Sequence, residues 1–142
     1  MKFARTILAS TPWLCLAVTA VLIQGCAKAP TWSGIYAIDA AGGARICVAP
    51  PVTLADGQTA RIQLQVSNEG GWCGETLSHN GAAYDSYLLV TRPIHGRVFA
   101  HRVGANTRID YTPDTGYVGS DAFAVRLLPG NAVFDAVVSV TR

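Results

Sequence analysis

The segment Thr59–Ser67, reading TARIQLQVS, places the tightest limit on what this chain can fold into. Ile62, Leu64 and Val66 alternate with Arg61, Gln63 and Gln65. Successive side chains of an extended backbone point to opposite faces, so the segment reads as a half-buried strand with one wet face. Shorter segments of the same kind lie at Gly34–Ile38, Arg45–Val48, Ser86–Thr91, Arg97–His101, Thr107–Tyr111, Ala122–Leu127 and Val133–Thr141. Turn residues separate them at Ala55–Gly57, Arg92–Gly96, Thr112–Gly116 and Leu128–Asn131. Gly and Pro punctuate the chain throughout and no apolar set recurs at helical spacing. Short strands with frequent turns predict an all-β antiparallel sandwich rather than βαβ units. Asn68–Gly81 is the longest stretch read as irregular.

The chain starts differently. Lys2 and Arg5 precede an apolar run that is strongest from Trp13 to Ile23, the three-part logic of an export signal. Ile23, Gly25 and Cys26 resemble the lipobox of bacterial lipoproteins, with Gln24 in place of the small residue usual there. That resemblance implies a lipoprotein signal peptide over residues 1–25, a lipidated tether over 26–31 and one domain over 32–142. It also implies acylation of Cys26, as with palmitate, so that membrane lipid becomes a partner through this residue. Ala27 after the cysteine implies the outer membrane of a Gram-negative envelope. The competing readings are ordinary secretion and an uncleaved transmembrane anchor: Thr6 to Ile23 spans 18 residues, at the short end, and contains Pro12. A tether of five residues reaches at most about 18 Å, which keeps the domain beside its membrane.

Removing the signal alters charge and cysteine arithmetic. Lys2 and Arg5 are two of eleven basic side chains, so nine remain against nine acidic ones. No basic stripe is present to release counterions from phosphate, which argues against nucleic acid as a partner. Of four cysteines, Cys15 leaves with the signal and Cys26 is spoken for, leaving Cys47 and Cys73 as a pair. In an oxidising compartment they are expected to form a disulfide, worth about 3.5 kcal/mol for a loop of about 27 residues. The rival reading is half of a zinc shell.

Between Thr91 and Val125 the chain resembles the Ig-like, cadherin-like modules of bacterial surface proteins. The residues that carry the resemblance are Pro93, Gly96 and Val98, then Tyr111-Thr112-Pro113, Tyr117, and Gly119, Asp121 and Phe123. The resemblance implies a single Ig-like β-sandwich. Such modules usually occur in arrays and lack a disulfide, and this chain departs in both respects. The residues themselves predict structural work. Pro113 suits the second position of a turn, Asp114 can bond following amides, and Gly116 accepts positive φ. Gly119 allows a second bend, and Asp121 is expected to accept amides from that loop. Phe123, Val125 and Leu127 should point inward, and Tyr117 should bury its ring at the corner with its hydroxyl bonded.

Catalytic signals are sparse. His79 follows Ser78, but no aspartate partner can be assigned from sequence, and neither a nucleophile elbow nor a phosphate loop occurs. His95 reads as a turn residue, and His101 falls six positions later, on the same face if a strand joins them. Asp110, Asp114 and Asp121 could contribute to a calcium site, although the acidic motifs between cadherin modules are missing and Asp110 can equally face solvent. No metal or cofactor is expected. Trp32, Trp72 and Tyr84 would form a sugar-stacking platform if exposed, with packing beside the disulfide the favoured place for Trp72. The expectation from sequence is a non-enzymatic binding or scaffolding module of the cell envelope with a protein partner. The alternative is glycan binding through Asn68–Gly81, with Trp72 in the binding loop.

Overall fold

The computed structural model describes residues 41–142. The signal segment, Cys26, the tether, Trp32 and the expected strand Gly34–Ile38 lie outside the described residues. Eight strands form among the described residues: β1 Cys47–Val48, β2 Thr59–Ser67, β3 Cys73–Leu77, β4 Ser86–Thr91, β5 Gly96–Val103, β6 Asn106–Pro113, β7 Gly119–Leu128 and β8 Ala132–Thr141. They build two sheets, one of five strands in the order β1-β2-β8-β7-β4 and one of three in the order β3-β6-β5. This is an all-β sandwich compatible with an Ig-like domain.

Alternation makes the core. On β2, Ile62, Leu64 and Val66 are buried while Arg61, Gln63 and Gln65 face water. Phe123, Val125 and Leu127 on β7 meet Phe134, Ala136 and Val138 on β8, all buried. Ile109, Tyr111 and Leu77 close the core from the smaller sheet. Burial of this apolar surface is the main favourable term in folding.

Three expectations need correction. The sandwich is not wholly antiparallel: β2 and β8 run parallel over nine paired residues, from Thr59↔Val133 to Ser67↔Thr141. Arg61 and Asp135 face each other across that pair and join at 2.7 Å. Asn68–Gly81 is not irregular throughout, because β3 lies within it and pairs with β6. Cys73 and Leu77 are its buried residues, but Gly74 and Glu75 are poor strand formers and interrupt the alternation. Gly74 is required by contact, since a Cβ there would lie 2.2 Å from the Asp110 carboxylate. Finally, Pro113 is not inside its turn but is the buried last residue of β6, opposite Gly96. The turn runs from Asp114 to Tyr117, closed by the Tyr117 amide donating to the Asp114 carbonyl at 3.0 Å. Gly116 sits at its third position with φ of 79°. Asn68 clamps this turn, its Nδ2 donating to the carbonyls of Asp114 and Tyr117 at 2.7 and 2.8 Å.

Cys47 and Cys73 are joined in a disulfide with Cα atoms 5.1 Å apart. The bond ties β1, at the margin of the larger sheet, to β3, at the margin of the smaller one. One side of the sandwich is thereby stapled. The other side, where β4 and β5 are the edge strands, has no covalent closure.

Candidate functional site

The residues that carry the resemblance to surface modules converge at one corner. Asp121, buried at the start of β7, accepts the backbone N–H of Ile94 at 2.9 Å and of His95 at 2.8 Å. Its own Oδ1 also accepts the Ala122 amide, and the Tyr111 hydroxyl donates to Oδ2 at 2.9 Å. Burial acts to raise this carboxyl, but the three amides and the hydroxyl outweigh it and hold Asp121 below the usual carboxylate range. Burial and the neighbouring carboxylate push the Tyr111 phenol well up. Gly96 gives the ring room, because a Cβ there would lie 2.6 Å from it. Tyr111 then stacks on Phe123 with centroids 5.8 Å apart.

Two sequence expectations shift here. Asp121 does accept backbone amides, but from the Arg92–Gly96 turn rather than from the loop ending at Gly119. The fully buried corner tyrosine is Tyr111, not Tyr117. Tyr117 is half-buried, stacks on His95 at 4.1 Å and donates its hydroxyl to the Ser120 carbonyl. Gly119 opens β7 with φ of 148°, where a Cβ would crowd the Tyr117 hydroxyl at 2.8 Å. This corner is built to hold the fold, and its polar atoms are spent on one another.

The remaining candidates are dispersed. Asp110 does not face solvent: it is buried on the face of β6 opposite Ile109 and Tyr111 and pairs with Arg108 Nε at 2.8 Å. Burial raises its carboxyl, with Arg108 and His101 opposing. Asp114 is exposed in its turn. Asp110, Asp114 and Asp121 therefore occupy three separate environments. No group of three or more His, Cys, Asp or Glu able to hold a metal ion occurs among the described residues. His95 and His101 stack on different partners, Tyr117 and Phe99. His79 does have an aspartate: its Nε2 lies 3.0 Å from Asp56 Oδ1. The partner comes from the Ala55–Gly57 turn, 23 residues away, so no local spacing could have revealed it. No hydroxyl nucleophile bonds to His79 among the described residues.

Tyr84 is 2% exposed and stands in the core cluster, so it cannot serve a sugar-stacking platform. Trp72 is half-buried rather than part of the core. Its Nε1 donates to the Ala41 carbonyl at 2.9 Å, and the Arg108 guanidinium lies 4.0 Å above its ring. One ring face is therefore already taken by a cation–π contact.

The open side of the sandwich gathers several exposed apolar side chains. Tyr87, Leu88 and Val90 on β4 and Phe99 on β5 are exposed, as is Ile94 in the turn between them. A cleft of about 350 Å³ separates the two edges, lined by Tyr87, Leu89, Val98, Phe99, Ala100 and Val125. Taken from the sequence alone, these residues look like ordinary strand formers. The signal available was the near-unbroken apolar run Tyr87–Val90, where a half-buried strand would alternate. No model of a known protein family matches the chain, and no curated protein matches it.

Proposed function

We propose that this chain is a membrane-anchored envelope lipoprotein, held by acylated Cys26, whose Ig-like domain is a non-enzymatic binding or scaffolding module. The observation that carries the reading is the open side of the sandwich. Leu88 is 57% exposed and Phe99 64%, on edge strands whose outer backbone groups have no strand partner among the described residues. Edge strands of this kind recruit other chains unless they are blunted, and apolar surface left in water marks interaction sites. The corner formed by Pro93, Gly96, Tyr111, Asp121 and Phe123 supports the likeness to bacterial cadherin-like modules, which implies adhesion-type contacts with envelope proteins. Fold likeness alone does not choose a ligand, so the choice rests on the surface.

Crosslinking in the native envelope followed by mass spectrometry tests this. A reproducible envelope protein, crosslinked to residues of β4 or β5, is the expected result. Absence of any reproducible protein partner would overturn it. Glycans that shift Trp72 emission and shield it from acrylamide would instead favour carbohydrate binding on the Asn68–Gly81 loop.

A further inference from the structure

We propose that β5 is a docking edge for an extended segment of a partner protein, an apolar strand bearing an acidic residue at each end. The inference rests on the reading of the domain as a protein-binding module and names the strand and the chemistry of the partner.

The two edges of the open side are not equivalent. β4 carries a register shift between Leu89 and Thr91 in its pairing with β7. A bulge twists an edge and makes it a poor template. β5 has no such break, keeping antiparallel register with β6 from Gly96↔Pro113 to Val103↔Asn106. Its other side is unpaired among the described residues. A strand added there would lie about 4.8 Å away, with alternate side chains turned into the cleft. Val98 and Ala100 face that cleft, so the residues opposite them would fill it beside Leu89 and Val125.

Charge selects the occupant. Arg97 and Arg102 bracket Val98–His101, a run without Lys, Arg, Asp or Glu, and Arg92 lines a smaller groove beside Arg97. None of the three arginines makes an ion pair among the described residues. Basic side chains on an edge ordinarily repel wrong partners, and carboxylates at matching positions turn that deterrent into a selector. A second copy of this chain is disfavoured in the centred register. Antiparallel pairing of β5 with itself about Phe99 and Ala100 sets Arg97 of one copy opposite Arg102 of the other, and like charges directly opposite are unfavourable.

The register is therefore specific. Running antiparallel to β5, the segment places an acid opposite Arg102, an aliphatic residue opposite Ala100, an aromatic opposite Phe99, an aliphatic opposite Val98 and an acid opposite Arg97. A glycine-flanked peptide of sequence Glu-Thr-Val-Tyr-Val-Glu fits this pattern, and its Lys-Thr-Val-Tyr-Val-Lys counterpart is the control.

The full chain in detergent micelles is titrated with each peptide and followed by amide chemical shifts. The acidic peptide should shift residues 97–102 and the cleft, and its affinity should fall as salt rises. The R97E/R102E variant changes two exposed side chains and should fold normally. It should bind the acidic peptide about tenfold more weakly and accept the lysine peptide instead. Shifts confined to β4, shifts nowhere, or no exchange of preference in the variant would each overturn the proposal. So would a dimer whose β5 amides are protected. If R97E/R102E still captures the same envelope protein as the wild type, the docking edge is wrong while the binding-module reading stands. If neither chain captures any protein, the binding-module reading itself fails.

Discussion

The Tyr111 hydroxyl donates to the Asp121 carboxylate across 2.9 Å, joining β6, the central strand of the smaller sheet, to the entry of β7. The same carboxylate holds the amides of Ile94 and His95, so one acidic side chain fixes the whole passage from β4 to β5. Removing it strands the buried Tyr111 hydroxyl and three part-buried backbone amides. Asp121→Ala is expected to cost about 1–3 kcal/mol, read as a lowered denaturation midpoint at neutral pH.

The pH dependence has a definite sign. Asp121 has its folded pKa depressed, so its contribution is fully present above the unfolded value of about 3.9 and is lost as pH falls through the folded value. The stability gap between wild type and Asp121→Asn should therefore be constant near neutrality and narrow in strong acid. A gap that stays level down the acid limb would show that the charge contributes nothing.

Gly96→Ala places a Cβ where the Tyr111 ring already lies, 2.6 Å away. Overpacking of this sort costs about 1–3 kcal/mol, and urea unfolding measures it. Wild-type stability in this variant would mean that the ring yields without loss of its bond to Asp121.

The Cys47–Cys73 bridge closes a loop spanning 26 residues in sequence. Replacing both cysteines with alanine should lower stability by about 3.5 kcal/mol on the chain-entropy account. Hydrogen exchange should quicken first in β1 and β3, the two strands it joins, and last in the β7–β8 ladder. Uniform quickening would contradict the picture of a local staple.

Cys26→Ala should release the chain from membranes into a carbonate wash, whereas wild type should stay in the pellet. Retention of the variant would point to the uncleaved apolar segment as the anchor.

Much of the fold is readable in the chain because its strands obey a period of two. The bounds of β2 and β4 coincide with Thr59–Ser67 and Ser86–Thr91, where polarity or composition changes sharply at both ends. β3 escapes notice because Gly74 and Glu75 break its pattern, and only a contact with distant Asp110 explains the glycine. Tyr111 and Tyr117 look alike as corner candidates, and the choice between them depends on Gly96 making room for one ring. The pairing of His79 with Asp56 is equally invisible, since two turns meet only once the sheets are formed. The open side is legible only afterwards, because exposure of Leu88 and Phe99 depends on which strands end each sheet.

The parallel pairing of β2 with β8 has a consequence for the order in which the molecule is made. β8 is the last described strand to be synthesised, yet it lies at the centre of the five-stranded sheet, between β2 and β7. Until residues 132–141 emerge, β2 and β7 have no common neighbour and the larger half of the core stays open. Completion of the domain therefore waits on β8, and loss of those ten residues would remove the middle of the larger sheet.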